Sequence, residues 1–599
     1  MAAPVKVGKM PAGEKEPVSV KRQVAVLKRL WKYLYRFKWT LMLATFLAIA
    51  SNLLALVGPS LSGEAIDAIA PKDGSGVDFE KVFLFCTLMI IFYIVSALFG
   101  YILNIIMIRL GKKVSMEMRK DLFDHFTKLP VGFFDKHQIG DLINRISYDI
   151  DTVNTSLSTD FVQIFSSVIT VVGSLTMMII ISPPLVSVFA VTIPISIYFT
   201  RYMSKRVRPL FRDRNEKLGE LNGYAEEILS GQKTVKAYGR EAQMCERFRR
   251  NNNRAVESYF KAEYYGSFVG PSMNLINNLS LALVSVLGAV LFFFGKISLG
   301  NISAFVLYSR RFSGPINEFA NIISELQSAT TAAERVFMMI DQAPETPDAA
   351  DAVELNEVKG LVELKNVKFG YDPDRIIIHN LSFVAKPGSV VAIVGPTGAG
   401  KTTIINLLMR FYDVQEGEIL LDGHSINQIT RKSLRAAYSM VLQDTWLFCG
   451  TVRENIAYGR QDATEEEIIE AAKAAKIHSF IEHLPEGYDT VLTDDGTTIS
   501  KGQKQLLTIA RAMLSKAPML ILDEATSNVD SRTERLIQSA MRNLMKGKTC
   551  FVIAHRLSTI QNADNILVVK DGDIVEQGNH AELMCRDSFY KSLYNAQFD

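Results

Sequence analysis

Long apolar runs dominate the first half of the chain, and their lengths are those of membrane-spanning helices. A helix of about 20 apolar residues crosses the roughly 30 Å hydrocarbon core of a bilayer. Apolar segments of about that length occur at Trp39–Val57, Val82–Ile108, Phe161–Ile181, Pro184–Tyr202, Phe268–Phe294 and Leu299–Ile322. The pattern therefore predicts a helical membrane domain of six spans over residues 39–342.

An amphipathic stretch, Lys21–Lys38, precedes the first apolar run. On a helical projection its apolar side chains share one side and its basic side chains share the other. The apolar residues are Val24, Leu27, Leu30, Trp31 and Leu34, and the basic residues are Lys21, Arg22, Lys28, Arg29, Lys32 and Arg36. An ordinary docked helix is the alternative, but the span that follows directly favours a helix lying on the membrane surface. Residues 1–38 are thus predicted to form a polar tail and an elbow helix.

Charged residues around the spans predict their orientation. Basic residues dominate before the first span and directly after the second and fourth, whereas the loop between the first two spans is mainly acidic. The positive-inside rule therefore places the N-terminus, two long loops and the C-terminal half in the cytoplasm. The tips of those loops, near Phe133–Asp135 and Ile228–Gln232, are expected either to touch a soluble domain or to be merely solvated helical turns.

The second half of the chain contains a glycine-rich phosphate-binding pattern. Residues 395–402, GPTGAGKT, fit G-x-x-x-x-G-K-[ST]. The apolar run Val390–Val394 before the loop predicts a buried strand, and Thr403–Leu408 after it predicts a helix. In that setting the loop N–H groups can surround phosphate oxygens at the positive end of a helix. Lys401 is expected to reach the β- and γ-phosphates, and Thr402 to bind Mg²⁺.

A second apolar strand ends in two carboxylates. Met519–Leu522 leads into Asp523 and Glu524. Acidic residues after a strand are common, but in a chain with an upstream P-loop they match the Walker B pattern. Asp523 is then expected to hold Mg²⁺, directly or through water. Glu524, one residue farther on, is placed to polarise the attacking water as a general base.

Composition narrows the possible functions. A chain of 599 residues is too long for one core, so at least two domains are expected. The net charge of +3 is too small to suggest a nucleic-acid partner. The five cysteines are scattered without a CxxC pair, which argues against a disulfide framework or a zinc site and fits a reducing cytosol. The basic N-terminal region lacks the uninterrupted apolar core of a cleavable signal peptide.

Between the P-loop and the Walker B strand lies Ile499–Gln505, ISKGQKQ. Here the sequence resembles the ATP-binding-cassette (ABC) superfamily, whose signature is usually LSGGQ, and further family motifs follow in family order. The resemblance implies that Tyr371 stacks on adenine and that Gln443 is the Q-loop sensor. It also implies that Asp530 belongs to the D-loop and that His555 contacts the γ-phosphate.

Motifs and resemblance together assign a set of site residues and two cofactors, ATP and Mg²⁺. The nucleotide-binding residues are Tyr371, Gly395, Pro396, Thr397, Gly398, Ala399, Gly400, Lys401, Thr402 and Thr403. The metal ligands are Thr402, Gln443 and Asp523, and the catalytic residues are Glu524, His555 and Gln443. The signature residues are Ser500, Lys501, Gly502 and Gln503.

The resemblance covers nearly the whole chain and implies a half-transporter of the type IV exporter fold. The expected architecture is an α-helical six-span transmembrane domain followed by an α/β P-loop nucleotide-binding domain. The expected boundaries are 1–38 for the tail and elbow helix, 39–342 for the membrane domain, 343–357 for a linker and 358–599 for the nucleotide domain. The loop tips then correspond to coupling helices. The implied function is ATP-hydrolysis-driven export of a small molecule, drug, lipid or peptide across the plasma membrane.

The signature departs from the family pattern, and the departure bears on the partner. Lys501 replaces its first glycine and Ile499 its leucine, while Glu524 is intact. The chain therefore resembles the consensus-site subunit of bacterial heterodimeric multidrug exporters, whose partner carries a standard signature and a weakened Walker B acid. A homodimer that tolerates ISKGQ, exporting lipid or peptide, is one alternative. A nucleotide-gated membrane switch with little transport is another, although Glu524 favours hydrolysis. Six spans exclude a soluble ATPase of the DNA-repair type.

Two adjacent arginines interrupt the sixth apolar segment. Arg310 and Arg311 lie about eleven residues into it, roughly 16 Å along a helix and close to the bilayer midplane. A charge there costs at least about 2.5–3.5 kcal/mol on insertion scales. We therefore expect at least one of them to line a translocation cavity and to favour anionic or polar substrate groups. The alternative is a structural contact, for example with Glu318 or a backbone carbonyl.

Overall fold

The computed structural model describes residues 20–70, 76–355, 357–372, 374–443, 445–492, 499–523, 530–554 and 557–598. For residues 20–21, 316–321, 557–558 and 597–598 it describes the backbone alone. Glu524, His555 and nearly all of the predicted polar tail thus lie outside the described residues. The chain forms two compact units, one of Met1–Thr127 with Ile139–Gln342 and the other of Lys128–Gln138 with Ala343–Asp599.

The first half of the chain is helical throughout. Its helices are α1 (Val20–Tyr35), α2 (Lys38–Ile69), α3 (Phe79–Phe126), α4 (Val131–Lys136), α5 (Ile139–Asn144), α6 (Ile150–Thr155), α7 (Phe161–Ile181), α8 (Pro183–Ser230), α9 (Gln232–Ala237), α10 (Glu241–Ser267), α11 (Val269–Phe293) and α12 (Leu299–Ile340). Two π-helical turns, Arg145–Asp149 and Ser156–Asp160, interrupt the run from α5 to α7. Helix α4 belongs to the second unit, although its neighbours in sequence belong to the first.

Within the described part of the chain, five helical stretches are long and apolar enough to cross a membrane. They are Lys38–Ile69, Phe79–Phe126, Ile139–Ile181, Pro183–Ser230 and Glu241–Phe293. Each contains one of the first five predicted spans. The sixth predicted span lies in α12, a helix of 42 residues that is not among the five. Arg310 and Arg311 lower the hydropathy of the apolar part of that helix.

Helices α2 and α12 approach closely at two glycines. A Cβ atom on Gly63 would lie 2.7 Å from the carbonyl oxygen of Gly300, so neither position has room for a side chain. The Asp67 carboxylate accepts hydrogen bonds from the Ser298 hydroxyl at 2.5 Å and from the Gly300 N–H at 2.8 Å. Because the first N–H groups of a helix lack intrahelical partners, this carboxylate caps α12 from the end of α2.

Helix α1 uses its basic side chains differently from the sequence projection. Arg22 forms an ion pair with Glu334, and Arg29 Nη1 lies 2.6 Å from Asp341 Oδ2. Both carboxylates belong to the C-terminal end of α12 or the residue after it. Val26, Leu30 and Leu34 of α1 are buried. Trp31, on the predicted apolar side, is 48% exposed. The helix therefore docks on the protein partly through its basic side, because two arginines find carboxylates there.

The second unit is an α/β domain. Its strands are β1 (Val362–Phe369), β2 (Ile378–Ala385), β3 (Val390–Val394), β4 (Glu416–Leu421), β5 (His424–Ser425), β6 (Tyr438–Val441), β7 (Gly450–Thr451), β8 (Val491–Leu492), β9 (Met519–Asp523), β10 (Thr549–Ile553), β11 (Asn565–Lys570) and β12 (Asp573–Gly578). Its helices after α4 are α13 (Lys401–Leu408), α14 (Arg431–Ala436), α15 (Val452–Ala457), α16 (Glu465–Ala474), α17 (His478–Glu482), α18 (Lys501–Leu514), α19 (Ser531–Met545), α20 (Leu557–Gln561), α21 (His580–Met584) and α22 (Phe589–Phe598).

A six-stranded sheet in the order β12-β11-β3-β10-β9-β6 forms the centre of this unit. All neighbours are parallel except β12, which pairs antiparallel with β11 at one edge. Ile553 of β10 lies opposite Ile393 of β3 and opposite Asp523 of β9. The near-continuous apolar runs of β3, β9 and β10 are those of parallel strands buried on both faces. Their carboxyl ends consequently meet along one edge of the sheet.

A separate antiparallel sheet, β2-β1-β4-β5, and a two-stranded sheet, β7-β8, complete the strands of the unit. Two carboxylates of the predicted linker, 343–357, lie against α14. Arg431, which is buried, donates to the Asp348 carboxylate at 2.8 Å. Arg435 donates to Glu345 at 2.6 Å. This segment is therefore held by charged hydrogen bonds.

Candidate functional site

The glycine-rich loop joins β3 to α13, in the strand–loop–helix setting that the sequence predicts. Gly398 and Gly400 have φ values of 86° and 104°, which side-chain-bearing residues rarely adopt. Gly400 is the N-cap of α13, and a Cβ atom there would lie 2.9 Å from the Ile378 side chain. The first N–H groups of α13 have no intrahelical partners. The loop therefore ends at a helix start that attracts anions.

Lys401 is folded back over its own loop. Its Nζ donates to the carbonyl oxygens of Gly395 at 2.7 Å and Pro396 at 3.0 Å. Burial lowers the pKa of the Lys401 ammonium, and the Asp523 carboxylate partly opposes this shift. Thr402 beside it is exposed. A half-buried ammonium whose hydrogen bonds in the loop go to neutral carbonyls is well placed to receive an anion.

The carboxyl edge of the sheet brings the other predicted residues toward the loop. Asp523 is the last residue of β9 and interacts electrostatically with Lys401. Gln443 follows the end of β6, the strand beside β9, and is exposed. Glu524 and His555 lie outside the described residues. The strand β9 ends directly before Glu524, and β10 ends two residues before His555, so both positions follow strands whose ends meet the P-loop edge.

The donor set at this edge fits a magnesium ion. Thr402, Asp523 and Gln443 offer a hydroxyl, a carboxylate and an amide oxygen, and Mg²⁺ prefers oxygen ligands. It binds through one or two protein groups, with water and substrate phosphates completing its shell. The residues present therefore suit a metal held jointly with a nucleotide.

Tyr371 is fixed at both ends of its side chain. Its hydroxyl donates to Thr403 Oγ1 at 3.3 Å and accepts from Asn406 Nδ2 at 3.1 Å. Its ring packs edge-to-face with Phe369, at a centroid distance of 5.1 Å, and with Tyr412, at 4.9 Å. The side chain is only partly buried. It can therefore offer ring surface to a planar base next to α13.

The signature residues form the start of α18. Ser500 is its N-cap, and Ser500 and Gln503 make a reciprocal capping box. Gly502 is buried within the first turn. Lys501 is the first helical residue and is exposed. The substitution that distinguishes this signature thus places an ammonium at the positive end of a helix.

Asp530 begins the next helix in the chain. Its Oδ1 accepts hydrogen bonds from the N–H groups of Arg532 at 3.1 Å and Thr533 at 3.0 Å, which caps α19. The hydrogen bond from the Thr533 backbone holds the pKa of Asp530 below its ordinary value. The preceding D-loop positions 527–529 lie outside the described residues.

The two predicted loop tips have different surroundings. Phe133–Asp135 lies in α4, where Phe133 is buried and the Asp135 carboxylate accepts a hydrogen bond from the Tyr412 hydroxyl. Ile228–Gln232 spans the junction of α8 with α9, and Leu229 within it is 74% exposed.

Arg310, unlike Arg311, lies away from the face of α12 that packs through Tyr308. Tyr308, two residues earlier, is buried and donates to the Leu56 carbonyl at 2.6 Å. Successive helical residues turn by about 100°, so Arg310 lies on nearly the opposite side from Tyr308. Arg310 is exposed and Arg311 half-buried. Within the described residues neither guanidinium has an ion-pair partner, and the Glu318 side chain lies outside them.

Sequence reasoning missed several residues around the site. Asn406 and Tyr412, which contact Tyr371, belong to none of the nucleotide-binding motifs. Arg511 of α18 donates to the carbonyls of Asn455 at 2.9 Å and Trp446 at 3.1 Å, and so ties the signature helix to the segment after the Q-loop. These contacts join segments far apart in sequence, and no local pattern signals them.

Two family descriptions match the sequence. Residues 41–316 match "ABC transporter transmembrane region", and residues 378–527 match "ABC transporter". The chain is 44% identical over 588 residues to an uncharacterised ABC transporter ATP-binding protein, YfiC, of Bacillus subtilis, covering 98% of this chain and 96% of that protein. It is 45% identical over 539 residues to a fatty acid ABC transporter ATP-binding/permease protein of Mycobacterium bovis, covering 90% of this chain and 85% of that one.

Two further proteins extend the comparison. An ATP-dependent lipid A-core flippase of Syntrophus aciditrophicus is 35% identical over 551 residues, covering 92% of this chain and 90% of the flippase. The fold is similar to the solved structure of a bacterial Atm1-family ABC exporter with ATP bound. The TM-score is 0.76 with 32% sequence identity, over 94% of this chain and 99% of that one.

Proposed function

This chain belongs to the family of ATP-binding-cassette exporters, and on that premise we propose that it is the consensus-site subunit of a heterodimeric exporter. It is a multi-pass membrane protein that couples ATP hydrolysis to transport and works as part of a dimer. One observation supports the proposal of a heterodimer. Lys501 occupies the first residue of α18, in a chain that retains Asp523 and Glu524.

The charge of Lys501 explains how such a dimer would become asymmetric. In this family each nucleotide lies between one P-loop and the signature of the opposite subunit. A cation at a helix N-terminus is unfavourable by about 0.3–1 kcal/mol in isolation, and a bound phosphate would reverse that. An ammonium attracts nucleotide before and after reaction alike, so it retains ligand without lowering the barrier. The site lined by Lys501 is then slow and retentive.

The site built on this chain's own P-loop is then the hydrolytic one. Lys401 holds the β- and γ-phosphates, while Thr402 and Asp523 hold Mg²⁺ with the Q-loop residue Gln443. Glu524 accepts the proton of the attacking water, and His555 contacts the γ-phosphate. Mg²⁺ supplies charge neutralisation on the transferred group when it is bound. The standard signature of the partner subunit completes this site.

Charge indicates the orientation and the substrate class. The basic flanks of the spans favour a cytoplasmic N-terminus and nucleotide domain, and the membrane proposed is the plasma membrane, as the exporter resemblance implies. Relatives are named for fatty acid transport and for lipid A-core flipping. Arg310, exposed on a membrane helix, favours an anionic group there because an isolated cation in hydrocarbon is costly. The substrate class proposed is an amphiphile with an anionic or polar head.

Co-expression tests the heterodimer. This chain, carrying one affinity tag, is produced in its own host, so that any native partner is present, together with a second copy of itself carrying another tag. The proposal expects a different half-transporter, with a standard signature, to co-purify at about equal amounts and the second copy to be absent. Recovery of the second copy in its place identifies a homodimer and rejects the proposal.

Nucleotide retention tests the role of Lys501. The assembled transporter is loaded with radiolabelled Mg-ATP and passed over a desalting column. Lys501→Gln and Lys501→Gly should release the nucleotide that the wild type retains, while overall turnover changes less. Lys504→Gln is the matched control, because it removes the same charge one turn from the helix start. Equal retention and equal hydrolysis at the two sites of the wild type reject the asymmetry.

A further inference from the structure

Tyr412 lies between the segment Lys128–Gln138 and the aromatic residue assigned to adenine. Its hydroxyl donates a hydrogen bond to the Asp135 carboxylate. Its ring centroid lies 4.9 Å from that of Tyr371, with the ring planes 82° apart. A single side chain thus contacts both the nucleotide side and the α4 side of this unit.

On the α4 side, the Tyr412 ring is in direct contact with the helix backbone. A Cβ atom on Gly132 would lie 2.7 Å from the Tyr412 ring, so the α4 backbone rests directly against it. Lys136 Nζ lies 3.7 Å from Asp372 Oδ1, one residue after Tyr371. The segment is covalently continuous with α3 before it and α5 after it. Tyr412 therefore contacts a segment that lies in sequence between the long helix α3 and the short helix α5.

On the nucleotide side, the loop of Tyr371 is tied to the chain around Tyr412 by a second contact. Gln415 Nε2 donates to the Gly370 carbonyl at 3.2 Å. The Tyr371 hydroxyl is anchored on α13 through Thr403 and Asn406. Because α13 begins at the P-loop, Tyr371 connects the phosphate and base ends of the site.

The backbone that carries Tyr412 is held in place. Arg410, in the left-handed region at φ 50°, is buried and donates to the Ile426 carbonyl at 2.9 Å and to Asp413 at 3.0 Å. Its own carbonyl accepts from Arg435 at 3.1 Å. Burial and the hydrogen bond to Asp135 raise the pKa of the Tyr412 hydroxyl, so it remains a neutral donor at physiological pH. The residue is a fixed contact.

We propose that Tyr412 is a positioning residue that transmits occupancy of the adenine site to the segment Lys128–Gln138. This rests on the proposed function, in which Tyr371 stacks on adenine. A base on the Tyr371 ring restricts that ring, the edge-to-face contact restricts Tyr412, and the Tyr412 hydroxyl restrains Asp135. Coupling between sites is reciprocal, so the state of the segment also biases nucleotide affinity.

Hydrogen–deuterium exchange on the assembled transporter measures this transmission without a transport substrate. The non-hydrolysable analogue AMP-PNP with Mg²⁺ should slow exchange in the wild type both at residues 395–403 and at 128–138. Tyr412→Phe keeps the ring and loses the donor, and Asp135→Ala loses the acceptor. In each variant, the protection from exchange that AMP-PNP causes at residues 395–403 should persist. The protection at residues 128–138 should fall at least about five-fold, which is the lower limit of typical allosteric coupling between two sites.

Controls separate the possible outcomes. Asp124→Ala, an exposed carboxylate near the end of α3, should behave as the wild type. The double variant Tyr412→Phe with Asp135→Ala should lose no more than either single variant, because both remove one hydrogen bond. Persistent wild-type protection at 128–138 in both single variants, with nucleotide bound, overturns the transmission through Tyr412.

A separate titration tests the premise. Tyr371→Ala should weaken AMP-PNP affinity, because the base loses its stacking surface. Unchanged affinity in Tyr371→Ala refutes the adenine role within the proposed function and leaves the transmission without an input. If Tyr371→Ala weakens AMP-PNP affinity but Tyr412→Phe keeps full protection at residues 128–138, Tyr371 still binds adenine. Only the transmission through Tyr412 is then rejected.

Discussion

Ser500 and Gln503 hydrogen-bond each other reciprocally at the start of α18. The Ser500 N–H donates to Gln503 Oε1 at 2.7 Å, and the Gln503 N–H donates to Ser500 Oγ at 3.3 Å. This capping box satisfies two N–H groups near the helix start. Two side chains proposed to contact a nucleotide across a dimer therefore also hold their own helix start in place.

Substitutions at Ser500 distinguish its role as the N-cap of α18 from its proposed contact with a nucleotide. Ser500→Ala should destabilise the domain by about 1 kcal/mol, because an N-cap oxygen is lost. Ser500→Asp keeps a good cap but sets a negative charge against the partner's nucleotide. It should retain the wild-type unfolding temperature and still lose nucleotide retention at that site. Thermal unfolding and ATP retention of the purified transporter measure the two effects. An unchanged unfolding temperature in Ser500→Ala would contradict the capping role.

Replacement of Glu524 tests the proposed general base. Glu524→Gln should bind ATP and lose about 10²–10⁴-fold in turnover, because an amide cannot accept the proton of the attacking water. Asp523→Asn is the informative comparison, since loss of a metal ligand should also weaken the dependence of binding on Mg²⁺. Steady-state ATPase assays and equilibrium nucleotide binding measure both variants. Hydrolysis by Glu524→Gln near the wild-type rate rules out the assignment.

Much of the site's framework could be predicted because it is encoded locally. Strands β3 and β9 are apolar runs that end in glycines or carboxylates, and buried parallel strands require such runs. The fold class is confirmed by the family matches and the solved exporter structure. The capping box at Ser500 also has a local signal, a serine three residues before a glutamine, which lies within the signature itself.

The remaining features depend on contacts that no local pattern records. Tyr412 and Asp135 are 277 positions apart, and only the fold shows that they meet. A linker is expected at 343–357, but the sequence of that segment does not show that Asp348 contacts Arg431. Likewise, Arg29 belongs to a basic helix side in projection, and the structure supplies its carboxylate partner.

Protonation of Glu467 should weaken the nucleotide domain at low pH. Glu467 pairs with Arg460 and lies 2.9 Å from Lys516 Nζ, and chiefly the Arg460 contact lowers its pKa to about 2. A carboxyl whose pKa is lower in the folded state stabilises the fold above its unfolded pKa of about 4.5. That contribution is lost as the pH falls toward 2.

Glu467→Gln tests this dependence. Its unfolding temperature should be below that of the wild type at pH 7, and the deficit should shrink as the pH is lowered below about 4.5, because the wild type loses the same charge. Differential scanning fluorimetry in detergent between pH 7 and about 3 follows the difference. Glu470→Gln, on the same helix and without an ion pair among the described residues, is the control. A deficit that is independent of pH would show that the ionised carboxylate is not responsible.

Arg310 provides the sharpest test of the proposed substrate class. It is exposed on the face of α12 opposite Tyr308, and a charge near the bilayer midplane must face water, a partner or an anionic group. If it lines the cavity, Arg310→Gln should reduce the stimulation of ATPase by a long-chain fatty acid in proteoliposomes. Stimulation by the neutral methyl ester of the same fatty acid should change little. Basal ATPase and dimer assembly should be preserved, because the guanidinium makes no ion pair among the described residues.

Arg311→Gln separates a cavity role from a structural one at the neighbouring position. Adjacent helical residues point about 100° apart, and Arg311 is half-buried, so the two arginines need not share a role. Loss of assembly in either variant identifies that arginine as a structural contact. If both variants assemble and respond normally to the fatty acid, neither arginine recognises an anionic head group. If only Arg310→Gln loses the stimulation by the fatty acid and keeps that by the methyl ester, the anionic head group binds at the exposed face of α12. The reason is that replacing arginine by glutamine removes a positive charge, which matters to the carboxylate and not to the neutral ester.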